Sequence, residues 1–146
     1  MMSKLDNLVS RIGYEKACQI LEEHSENADS TENTLTIVVN RGVHHLPGEY
    51  AKGEVYFASE GNLDFSSKGS VRAEHERVLS RVAQILKKKR WHRIYLIPFG
   101  PNTLSMQIKL LVYRITRIET QDLFYAGGGE YFCLDIRQRD IIIDAG

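Results

Sequence analysis

Two short polar segments hold the residues whose types and spacing could do chemistry. The first is Asn40-Arg41-Gly42-Val43-His44-His45, directly after the apolar run 35–39. The second is Pro98-Phe99-Gly100-Pro101-Asn102-Thr103-Leu104-Ser105, between the apolar run 94–97 and an amphipathic stretch. In the second segment the two prolines fix the loop and donate no N–H. Gly100 permits close backbone approach. Asn102, Thr103 and Ser105 bring short polar side chains to a helix start, where unpaired N–H groups carry about half a positive charge. A phosphate, a nucleobase edge or a carboxylate fits that chemistry. Plain N-capping by Asn102 or Thr103 is the structural alternative. In the first segment Arg41 can pair a phosphate through two N–H groups. Adjacent His44 and His45 point to opposite sides of an extended chain, so a two-histidine metal pair is disfavoured and no metal site is assigned. They are either two exposed imidazoles or a base-stacking or acid–base element.

Other reactive side chains lack partners in the sequence. His75 lies on the apolar stripe of a helix and is read as a hydrogen-bonded boundary residue, not a catalyst. Asp135, Asp140 and Asp144 are not spaced like a two-metal or paired-carboxylate site. The run Gly127-Gly128-Gly129 reads as a hairpin turn. Cys18 and Cys133 are far apart and read as free thiols. No CxxC, HExxH or GxxxxGK[ST] occurs, and no cofactor is implied.

The elements that must position the two loops follow from hydrophobic periodicity. Residues 35–39 and 54–58 read as strands, each followed by a Gly-rich connector. Val71, His75, Val78, Leu79, Val82 and Leu86 mark an amphipathic helix, with Ser70 as its expected N-cap. Residues 94–97 form a strand, 104–118 a second helix, and 123–126 and 131–136 a hairpin. The run Ile141-Ile142-Ile143 reads as a further strand. Strands alternating with helices predict an α/β class fold, a Rossmann-like and mostly parallel sheet with an antiparallel edge hairpin. Residues 1–28 are expected to be an N-terminal helical arm and 29–34 a polar linker, with the α/β domain over 35–146.

The 146 residues suit one core that needs no disulfide or metal. With 19 basic and 19 acidic side chains the formal charge is zero, which disfavours binding of a long nucleic acid. No apolar run spans a bilayer and the N-terminus lacks a signal-peptide pattern, so a cytoplasmic protein without a membrane partner is expected.

The strand at Arg93–Ile97, the stretch PFGPNTLSMQIKLLVYRI and the Tyr-bearing hairpin after it resemble the second strand–helix–strand unit of SAVED domains, the relatives of CARF domains. The resemblance covers residues 35–136. It implies binding of a cyclic-oligonucleotide second messenger in bacterial antiphage defence, with ligand contacts at Asn40, Arg41, His44, His45, Gly100, Pro101, Asn102, Thr103 and Ser105. A SAVED domain has two CARF-like halves, and this chain has room for one. A half-site between protomers of a homo-oligomer, or an adaptor for a separate effector subunit, is therefore the expected form. Two alternatives stand beside it. One is a phosphodiesterase or ring nuclease using His44, His45 and Arg41. The other is a non-enzymatic interaction subunit that works through the helical arm.

Overall fold

The computed structural model describes Gly13 and residues 33–42 and 46–146. The chain divides into two units, Met1–Ser30 and Thr31–Gly146. The expected helical arm, most of the expected linker, Cys18, His44 and His45 lie outside the described residues.

The second unit runs β1 (Thr34–Val38), a single 3-10 turn (Gly48–Tyr50), β2 (Glu54–Phe57), α1 (Lys68–Lys87), β3 (Arg93–Ile97), α2 (Asn102–Thr116), β4 (Gln121–Gly127), β5 (Glu130–Leu134) and α3 (Gln138–Asp144). Thr34, placed in the linker by the sequence pattern, is the buried first residue of β1. The strands form one sheet in the order β2-β1-β3-β4-β5. Its first three pairings are parallel, and β4 pairs antiparallel with β5 through the Gly127–Gly129 turn. The expected mostly parallel α/β sheet with an antiparallel edge hairpin is what forms. Among the described residues no helix is long and apolar enough to cross a membrane.

Side-chain alternation sorts the sheet into two faces. On one face Leu35, Ile37 and Val39 of the β1 segment and Ile94 and Leu96 of β3 are buried beneath Val78, Val82 and Leu86 of α1 and Leu104, Ile108 and Val112 of α2. Side chains of this kind each contribute about 1.5–3 kcal/mol on burial, so this face holds most of the stability. On the other face Val38, Ile97 and Leu123 pack with Leu46, Tyr50, Phe57, Phe99 and Tyr131. The cover there is a loop and not a helix. It is pinned by Thr36, whose hydroxyl donates to the Lys52 carbonyl at 2.5 Å and accepts the Lys52 N–H at 3.1 Å. Gly53 completes the approach. Its φ is +66°, and a Cβ there would lie 2.3 Å from the Thr34 carbonyl oxygen.

Two local expectations are corrected. The N-cap of α1 is Ser67, which accepts the Ser70 N–H at 3.1 Å. Capping needs an oxygen placed before the helix and reaching three residues forward, and Ser67 meets that condition for Ser70. The Ile141–Ile143 run lies in the helix α3, not in a strand. Its β-branched composition suggested a strand, but the Gln138 N–H is taken by the Glu119 carboxylate at 3.0 Å and a helical turn begins there.

Candidate functional site

The strand order decides where a ligand can enter. β1 lies between β2 and β3, and the chain leaves it toward β2 over the loop-covered face. The chain leaves β3 in the opposite direction, over the helix-covered face, toward β4. Two adjacent parallel strands whose exits part company leave a gap between their carboxyl ends, the usual ligand position in open α/β sheets. Here that gap is a crevice of about 950 Å³. Pockets for small molecules run from roughly 300 to 1,000 Å³.

Its walls come from three strand exits: Asn40, Arg41 and Gly42 after β1, Gly61, Asn62, Leu63 and Phe65 after β2, and Phe99, Gly100 and Pro101 after β3. Of the two loops singled out by sequence, Asn40–Gly42 and Phe99–Pro101 meet on one concave surface, whereas Asn102, Thr103 and Ser105 do not line it. Asn40 is the tie. It is buried, and its amide donates to the Gly61 carbonyl at 3.0 Å. Its Cβ is 2.7 Å from where a Cβ on Gly100 would stand, and Gly100 has φ +98°. The freedom of Gly100 is thus used to seat the third loop against Asn40, where sequence reasoning gave it to the ligand. Backbone bonds extend the β1–β2 pairing into the crevice wall. The Arg41 N–H donates to the Ser59 carbonyl and the Gly61 N–H to the Arg41 carbonyl, at 2.8 and 2.9 Å.

The polar side chains divide into those free to meet a ligand and those already occupied. Arg41 stands exposed at the rim, its guanidinium 4.9 Å from the Phe57 ring centre and 3.7 Å from the Glu60 carboxylate. An exposed pair at that distance is weak, so the guanidinium can turn to an anion. Asn102 and Thr103 are exposed in the first turn of α2, the Thr103 hydroxyl already lying 2.9 Å from His75 Nε2. Pro101 is the N-cap residue and no side chain caps the helix, which leaves the first N–H groups of the turn for water or a ligand. Ser105 is different. It is buried, and its hydroxyl donates back to the Pro101 carbonyl at 3.3 Å, so it braces the turn.

Sequence reasoning missed one part of the site. The connector after β2 supplies Asn62 and the exposed ring of Phe65. Its signal was available, since parallel strands all end on the same side of a sheet. The connector is itself well ordered by hydrogen bonds. Asp64 accepts the Ser66 hydroxyl at 2.6 Å and its N–H at 3.1 Å, and these bonds hold the carboxyl below its ordinary value. His75, outside the crevice lining, is the hydrogen-bonded boundary residue the sequence suggested: its Nδ1 donates to the Val71 carbonyl at 2.8 Å, and its Nε2 lies 2.9 Å from the Thr103 hydroxyl. The ring also lies 5.8 Å from that of Phe65. A helical histidine on an apolar stripe gives no hint that its far nitrogen reaches the next helix.

Fold and site together define an open α/β sheet protein with a crevice at the point where the strand order reverses. Comparison of the chain with protein-family models, with curated proteins and with solved structures finds no match. The chemistry available in the crevice is recognition of a partly aromatic anion. Arg41 suits a phosphate, Phe65 the face of a base and Asn62 a polar edge, and the uncapped start of α2 follows the crevice wall at Pro101.

Proposed function

We propose that the chain is a sensor or adaptor that binds a cyclic-oligonucleotide second messenger in this crevice, without degrading it. The observation that supports the reading is the convergence of the loops after β1 and β3 at Asn40 and Gly100, beside the uncapped start of α2. The site is close to neutral in side-chain charge. Attraction for phosphate is assigned to the uncapped start of α2, which follows the crevice wall at Pro101, and to Arg41, exposed at the rim. The pattern shared with SAVED and CARF domains extends the proposal to bacterial antiphage signalling, in which the bound chain acts on itself or on a separate effector.

Isothermal titration of the full chain against cyclic di-, tri- and tetranucleotides tests the reading. Heat of binding with at least one ring is expected. Arg41→Ala should weaken that binding about tenfold, the loss of one charge-assisted hydrogen bond of about 1.5 kcal/mol. The nucleotide should be recovered intact after incubation. Absence of heat from every ring overturns the proposal, and recovery of a linear product replaces it with a phosphodiesterase.

A further inference from the structure

We propose that β5 and the apolar surface beside it form the twofold interface of a homodimer of this chain. The sheet ends at β5, whose outer edge has no hydrogen-bonded neighbour among the described residues. Its five residues, Glu-Tyr-Phe-Cys-Leu, contain no proline and no lysine, and the single charge is at one end. Edge strands of monomers are usually shortened, charged or covered, because a row of free N–H and C=O groups recruits another strand. Here the one charge is Glu130 at the start of the strand, and among the described residues no further strand pairs with the outer edge.

The apolar surface lies on the same side. Among the described residues, the exposed large hydrophobics other than Phe65 all fall between Met106 and Ile143. Met106, Leu110 and Tyr113 form a stripe along the outer flank of α2 at helical spacing. Phe124 pairs with Phe132 across the hairpin, and both are about half exposed on the helix side of the sheet. α2 covers that side only as far as β4, where Lys109 meets Asp122. Between α2 and α3 runs an open groove of about 950 Å³, into which Leu110, Tyr113, Ile142 and Ile143 project. At roughly 100 Å² for each half-exposed large side chain, these elements present about 1,000 Å² of apolar surface per chain. A stable interface needs about 800 Å² per partner.

A second copy fits this surface better than any single added strand. An added strand would satisfy the edge and leave the helix flanks bare. Antiparallel pairing of β5 with β5 of a second copy, about an axis perpendicular to the sheet, keeps both helix-covered faces on one side. The two Phe132 side chains and the flanks of α2 and α3 then meet across the axis. The two Glu130 carboxylates fall at opposite ends of the joined ribbon, and the ten-stranded sheet has no open β5 edge. One consequence concerns the ligand. The parallel strands of the two copies run in opposite directions, so their crevices open at opposite ends of the dimer. Each chain then binds its own ligand, in place of the half-site shared between protomers that the sequence suggested.

Sedimentation equilibrium of the full chain without nucleotide tests the dimer independently of the messenger reading. The expected mass is twice the 16.7 kDa of one chain. Phe132→Glu should reduce it to one chain while circular dichroism and the thermal transition remain. A Cys18→Ser chain provides a second readout that does not depend on that variant folding. Strand spacing and rise place the two Cys133 residues about 8 Å apart, so a short bismaleimide should join them, and a Cys133→Ser control should not be joined. A single-chain mass at every concentration overturns the proposal. So does a dimer that survives Phe132→Glu and is not captured through Cys133, because that dimer uses another face.

Discussion

The two edges of the sheet are finished in different ways. At the β2 edge Glu54 faces Lys88 and Lys89 from the end of α1, at 3.4 and 3.7 Å, and Arg41 covers Phe57. At the β5 edge Phe132 and Leu134 are exposed, and Cys133 is a free cysteine whose thiol its own partial burial pushes above the ordinary value. Each surface ion pair at the β2 edge is worth little in stability. Their effect is to make that edge a poor template for another strand. The contrast teaches that the parallel half of the unit is complete in itself, with the crevice at one end of it. The hairpin half carries its apolar surface outward.

The largest expected effect separates the two halves by stability. Ile37→Ala removes a fully buried side chain from between the sheet and its helices and should cost about 3 kcal/mol, the usual range for such truncation. Ile142→Ala, at 70% exposure, should change the stability of a single chain by no more than about 0.5 kcal/mol. Urea unfolding of the monomeric Phe132→Glu background measures both, and equal losses would erase the distinction between the halves.

A smaller effect isolates the crevice. Gly100 and Gly127 both have φ near +95°, at +98° and +92°. A Cβ on Gly100 would strike Asn40, whereas one on Gly127 meets nothing within 4 Å. Alanine at either position carries the left-handed backbone cost of about 1–2 kcal/mol. Gly100→Ala should cost about 1–3 kcal/mol more through overpacking and should also weaken nucleotide binding. Thermal unfolding of the two variants compares them, and equal transition temperatures would show that the Asn40 contact gives way freely.

The smallest effect is a pH dependence on the crevice side. The Ser66 bonds lower the Asp64 carboxyl below 3.8 in the folded chain. The unfolded chain therefore binds the proton first, and the carboxylate's contribution is complete above 3.8. It is lost as the pH falls through the lowered folded value. Asp64→Asn should remove that part of the acid limb. Its stability difference from the parent should shrink as acid is added, and an unchanged difference down to pH 2 would contradict the assignment.

Much of the fold was legible because β-branched runs and helical stripes have distinct periods, and strand–helix alternation dictates a parallel sheet. The loops at 40–42 and 98–105 were legible as strand exits for the same reason. What the sequence did not disclose depends on tertiary contact. The role of Gly100 depends on Asn40, which is sixty residues away in the chain. The role of His75 depends on Thr103, 28 residues away. The Ile141–Ile143 run misled because propensity for strand is weak without a neighbour to pair with. The outer stripe of α2 went unread because its inner stripe of Leu104, Ile108 and Val112 already explained the helix.

The central claim is that the uncapped start of α2, which follows the crevice wall at Pro101, attracts the messenger. Titration of the ¹⁵N-labelled full chain with cyclic di-, tri- and tetranucleotides tests it residue by residue. The account expects the largest amide shifts at Asn102, Thr103, Leu104, Arg41 and Asn62, with the hairpin signals unmoved. Shifts confined to β5 and α3, or none with any ring, would contradict it.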